Sequence, residues 1–129
     1  MALSLPQILV IMLGGSLGAL MRFIVSSSVA EKFGNSFPYG TLAVNVLGSF
    51  IMGFLAMFLV ERIGIDPLLR LGIFVGFLGA FTTFSTFSME TFNLLEQGDI
   101  LRAVMNMFIS VILSILAVWL GILLGKQIG

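Results

Sequence analysis

Four stretches of this chain, from about Pro6 to Ser28, Thr41 to Val60, Leu68 to Leu95 and Leu101 to Gly125, are apolar almost throughout. A bilayer core about 30 Å thick needs about 20 such residues per crossing helix, because lipid offers no partner to a free backbone amide. All four runs are long enough. The composition agrees: of 129 residues 59% are hydrophobic and 9% charged, and the mean hydropathy of +1.19 lies far above that of soluble domains. The expected architecture is an all-α integral membrane protein, one domain over residues 1–129, with four transmembrane helices at about 6–28, 41–60, 68–95 and 101–125. Polar connections separate the runs: "EKFGNSFPYG" with turn residues Gly34, Asn35 and Pro38, "ERIGIDP" with a proline suited to a first helical turn, and "EQGD". The opening "MALSLPQ" lacks the basic region of a secretion signal, so the first run reads as a retained span.

Chemistry is restricted as well. No cysteine is present, which removes disulfides and thiolates, and no histidine, which removes the usual neutral-pH proton shuttle. An enzyme is not expected. Lys and Arg are shared evenly between the two sides that four spans would define: Arg62, Arg70 and Lys126 on one, Arg22, Lys32 and Arg102 on the other. The excess that orients small membrane proteins is missing. Either a few flanking residues fix one orientation, or both occur; in the second case an antiparallel homodimer would build in trans the inverted repeat that many transporters carry in one chain. Glycines at helix-packing spacing (Gly14 and Gly18, Gly72 and Gly76, Gly121 and Gly125, with Gly48 and Gly53) indicate a close bundle and no particular substrate.

The third run contains "GAFTTFSTFSME", residues 79–90, where phenylalanines alternate with Thr82, Thr83, Ser85, Thr86 and Ser88. On an uninterrupted helix, at about 100° per residue, these hydroxyls would cover more than half the circumference and could not all face the interior of one four-helix chain. Either the helix breaks or a partner covers it. Gly76 and Gly79 favour a break, which survives at membrane depth only when buried in protein or lining a cavity, and whose carbonyls can hold a cation. The alternative is a plain helix whose hydroxyls bond back to the preceding turn. Phe81, Phe84 and Phe87 recur every third residue. Ring edges are electropositive, so such rings among hydroxyl donors suit a small anion, although a phenylalanine stripe alone also serves packing.

Other polar groups at membrane depth are few. Asn45 can donate two hydrogen bonds or tie helices together. Ser110 and Ser114 share a face of the last run, which Asn106 continues one turn earlier. Arg22 and Glu90 are the ionisable residues well inside the runs, each near an end, where snorkelling competes with a place on an ion path. A fixed carboxylate repels anions, so Glu90 would have to be paired, protonated or used to relay a hydrogen bond.

Along nearly its whole length the chain resembles the small four-span fluoride channels called Fluc, or CrcB: "GGSLGALMRF" in the first span, "FPYGTLAVNVLGSFIMG" in the second and "GFLGAFTTFSTFSMET" in the third. The resemblance implies two copies inserted antiparallel, with two fluoride pores and a third helix broken near mid-membrane. It implies that Gly79 and Thr82 give backbone carbonyls to a central structural sodium ion. Phe84 and Phe87 match the pore-lining ring pair, Asn45 the second-span donor, and Ser110 and Ser114 the fourth-span serines. Ser85, Thr86, Ser88 and Glu90 fall where the family runs a polar track. Asn106 stands where the family varies, and neither it nor Arg22 receives a role; Ala80 replaces a family glycine. The implied partners are fluoride, lipid and a second copy, with no nucleic acid. The implied location is a bacterial inner membrane, and the implied task is passive fluoride exit.

A rival from another class is a small dual-topology multidrug exporter coupled to protons. It needs a membrane carboxylate that exchanges protons for a cationic substrate, and the first span has no acidic residue.

Overall fold

The computed structural model describes residues 1–128, and they are all-helical. Four helices are long and apolar enough to cross a membrane: α1 (Leu5–Phe33), α2 (Tyr39–Ile63), α3 (Pro67–Glu96) and α4 (Ile100–Gln127). Their ends follow from local chemistry. Ser4 and Gln7 form a reciprocal capping box at the start of α1, Ser4 N–H donating to Gln7 Oε1 at 2.9 Å and Gln7 N–H to Ser4 Oγ at 3.3 Å. Nothing stops α1 at Ser28. It continues through Glu31 and Lys32 to Gly34, whose φ of 86° ends the helix at a conformation that favours glycine. Asp66 caps α3 through Leu68 N–H (2.7 Å), with Pro67 in the first turn. Asp99 caps α4 through Arg102 N–H (3.3 Å).

The last turns of α2 (Ala56–Ile63) and an early stretch of α3 (Leu71–Leu78) widen to π-helical hydrogen bonding. In lipid, apolar burial drives helices together only weakly, so close backbone approach does more of the work. Here glycines provide it. A β-carbon at Gly14 would meet the backbone of Gly72, and one at Gly18 the carbonyl of Phe77, so α1 lies directly on the first half of α3. Gly53 against Val118, and Gly121 against Phe50 and Phe54, do the same for α2 and α4.

Phe37, Val44, Leu78, Phe81, Phe87, Leu94, Ala103 and Ala117 form the small apolar core, with Phe77 and Phe81 stacked at 6.0 Å. Most other apolar side chains face outward: 6% of the apolar window of α1 is buried, and Phe23, Phe108 and Ile115 are all exposed. One copy therefore offers an outer surface suited to lipid or to another apolar protein surface.

Candidate functional site

The site is organised around Thr82 and Thr83. Their dihedrals (φ −88°, ψ 157° and φ −151°, ψ 117°) are extended, between helical residues Gly79–Phe81 and Phe84–Glu96 of α3. The backbone groups this leaves open are met by side chains. Asn45 of α2 donates from Nδ2 to the Thr83 carbonyl at 3.0 Å and accepts the Thr83 N–H on Oδ1 at 2.7 Å, so one amide stands in for a missing helical turn. Thr83 Oγ1 in turn accepts Thr86 N–H at 3.2 Å, capping the helix that resumes, and bonds Thr86 Oγ1 at 3.0 Å. Thr82 bonds back to the Leu78 carbonyl from both its N–H (3.1 Å) and its hydroxyl (3.0 Å). Gly48 makes room for it, since a β-carbon there would strike the Thr82 methyl.

The amides of Thr83 and Thr86, which an uninterrupted helix would aim at the carbonyls of Gly79 and Thr82, go elsewhere. Both carbonyls are therefore without their usual helical partners. Among the described residues no three His, Cys, Asp or Glu side chains gather as a metal cluster, so a hard cation here would need such backbone oxygens.

Beside Thr82 and Thr83 is a groove of about 330 Å³ that brings them together with Asn45, Phe84, Phe87, Ser110 and Ser114. The Phe84 and Phe87 rings lie 5.4 Å apart and tilted by 45°. Phe87 is 9% exposed and Phe84 76%, so one ring is locked in the bundle and the other projects from it. No ionisable side chain lines this groove. Thr83 also borders a second cavity, about 340 Å³, with Arg22, Ser26, Thr41 and Thr86. Ser26, Thr41 and Thr86 in turn border a third, about 520 Å³, which contains Glu90 and reaches the Asp99–Arg102 ion pair (2.8 Å). Arg22 Nε and Glu90 Oε1 are buried without a hydrogen-bond partner, in adjoining cavities that share three walls.

Ser85 and Ser88 lie on the outer side of this helix, with the Ser85 hydroxyl 3.4 Å from that of Thr83. They are exposed on a shallow outer face with Met89 and Phe92, and the Ser88 hydroxyl bonds back to the Phe84 carbonyl at 2.9 Å. Back-bonding, one of the two readings open in the sequence, thus accounts for Ser88 and for the hydroxyl of Thr82. Asn106 is 1% exposed, outside the groove, in a buried chain: Ser110 donates to Asn106 (3.0 Å), Asn106 to Thr91 (2.9 Å) and Thr91 to the Phe87 carbonyl (2.7 Å). Two residues of this site, Thr83 and Thr91, carry no role in the sequence reading. A capping threonine just before a helical run could have pointed to Thr83. Thr91 has no comparable sequence signal.

The profile of the family described as "CrcB-like protein, Camphor Resistance (CrcB)" matches residues 9–122. A protein of Citrifermentans bemidjiense named "Fluoride-specific ion channel FluC" is 47% identical over 96% of this chain and 100% of its own length. Relatives of the same name are 48% identical in Methylococcus capsulatus, over 92% of this chain and 52% of that longer protein, and 47% identical in Hydrogenovibrio crunogenus, over 94% and 92%. The match runs through all four helices and the residues of the groove, and the chain belongs to the CrcB family.

Proposed function

We propose that this chain is a multi-pass, fluoride-specific ion channel of a bacterial membrane, and not an enzyme, giving cytoplasmic fluoride a passive way out. The observation that carries this reading is the uncharged groove at Thr83, where Asn45, two tilted rings and the α4 serines meet. A small anion leaving water needs donors and electropositive ring edges; a fixed positive charge would bind it too tightly to release it. Permeation then runs from the groove past Thr83 to the Arg22 cavity and on to Glu90. Arg22 borders the second cavity and Glu90 the third, so both stand beside this route.

The conducting unit in this reading is an antiparallel homodimer, the interruption of α3 lying near mid-membrane. The even division of Lys and Arg and the outward-facing Phe84 support it. A second copy would also cover Ser85 and Ser88, placing them on its own path. Gly79 and Thr82 fit a sodium ion at the dimer centre, because their carbonyls have lost their helical partners; the ion would tie two interrupted helices together without taking part in conduction. Outward fluoride movement needs no coupling, since an interior-negative potential is worth about 2.3 kcal/mol per charge per 100 mV.

Liposomes loaded with potassium fluoride and opened to potassium by valinomycin test the proposal. Rapid fluoride release, unaffected by a proton gradient and absent for chloride, is expected. Proton-driven transport of organic cations without fluoride release would instead support the multidrug reading.

A further inference from the structure

The chain from Ser110 to Phe87 has a fixed direction, which sets what Ser110 presents to the groove. Thr91 Oγ1 lies 2.7 Å from the Phe87 carbonyl oxygen, a separation two oxygens hold only with a proton between them. The carbonyl has none to give. Thr91 therefore donates, and its oxygen is left to accept. Asn106, 2.9 Å away, must then turn its NH2 toward Thr91, which puts its carbonyl oxygen toward Ser110 at 3.0 Å. That oxygen only accepts, so the Ser110 proton goes to it. The orientation of the Asn106 amide is thus set by the connectivity of the chain.

We propose that Asn106, held by Thr91, withholds the Ser110 proton from the groove, so that Ser110 faces a passing anion with oxygen lone pairs and keeps that step of the path weakly binding. Asn106 and Thr91 are positioning residues in this proposal. Neither lines the groove, and Asn106 is 1% exposed while Thr91 and Ser110 are each 7%. Turning the Ser110 hydroxyl into the groove would break its bond and strand a buried amide oxygen, a cost that offsets most of what a bond to the anion would return. Weak sites suit a channel, in which an ion must leave as readily as it enters. Ser114, which lines the groove one turn further along and has no partner on its hydroxyl among the described residues, is free to donate.

The inference rests on the fluoride-channel reading, and the test keeps the two apart. The fluoride concentration that half-saturates the current is measured for four proteins: parent, Asn106→Leu, Ser110→Ala and the double variant. Asn106→Leu removes the acceptor and frees the Ser110 proton. Half-saturation should then shift about tenfold lower where Ser110 is present, and by less than threefold where it is alanine. A second cycle uses Thr91→Val, nearly isosteric, which releases the Asn106 amide from its fixed orientation. It should shift half-saturation in the same direction and with the same dependence on Ser110, and it decides the matter if Asn106→Leu does not fold. A change of equal size with and without Ser110, or no tightening in either cycle, overturns the proposal. A parent that carries no fluoride current overturns the channel reading itself.

Discussion

The two halves of α3 are held by opposite means. Residues 67–81 contain no hydroxyl before Thr82 and meet α1 through shape: Gly14 and Gly18 let two backbones touch at Gly72 and Phe77. Residues 83–96 are held by side-chain hydrogen bonds, to α2 through Asn45 and Thr83 and to α4 through Thr91 and Asn106. Close packing leaves no space and no polar group to spare. Hydrogen-bonded contacts hold a helix at a distance and leave a groove beside it, so the proposed anion path lies along the second half and the anchor along the first.

The largest effect that would break this comparison belongs to the anchor. Gly18→Val drives a branched side chain into the Phe77 carbonyl, and backbone cannot yield as a flexible side chain does. A loss of about 3 kcal/mol or more is expected, read as loss of monodisperse protein in detergent. Wild-type thermal stability in that variant would mean the first half is not held by close approach. Next comes Asn45→Leu, which strands both the N–H and the carbonyl of Thr83. About 2 kcal/mol should be lost, and Asn45→Asp, which keeps the acceptor for the N–H, should fall between it and the parent in melting temperature.

Phe84→Ile should leave stability within about 0.5 kcal/mol, because a 76%-exposed ring supports little of the fold of one chain. A large drop measured on monomeric protein would move Phe84 from the path to the core. The smallest effect is at Asp99, which borders the third cavity. The Arg102 guanidinium bonded to Asp99 holds that carboxyl below its ordinary value. A lowered folded-state value means that the stabilisation is fully present above the ordinary carboxylate range and is lost as pH falls through the lowered one. Asp99→Asn should abolish this acid dependence and change little at neutral pH, since the pair is exposed and screened by salt. Melting curves from pH 3 to 7 check it.

The part of this organisation that depends on local pattern was legible in the sequence. Apolar length marks the four helices, and glycine spacing marks their close faces, because both are properties of a single segment. Asn45 was recognisable as an important amide, but its pairing with Thr83 was not, since the two are 38 residues apart and no local rule joins them. The five hydroxyls of the third run looked alike in sequence and differ in the fold: Thr83 caps, Thr82 and Ser88 bond back to their own helix, Thr86 borders two cavities, and Ser85 is exposed beside Thr83. Which of these a serine or threonine does depends on what lies opposite it. Asn106 shows the same limit, as its neighbours along α4 suggest a groove-facing position and its partner Thr91 draws it inward.

Fluoride efflux from liposomes containing Phe84→Ile or Asn45→Asp, beside the parent, tests the groove most directly. Rapid release by the parent and at least a tenfold loss in both folded variants is the predicted result. Normal release by both variants would contradict it, and would place the path away from the interruption in α3.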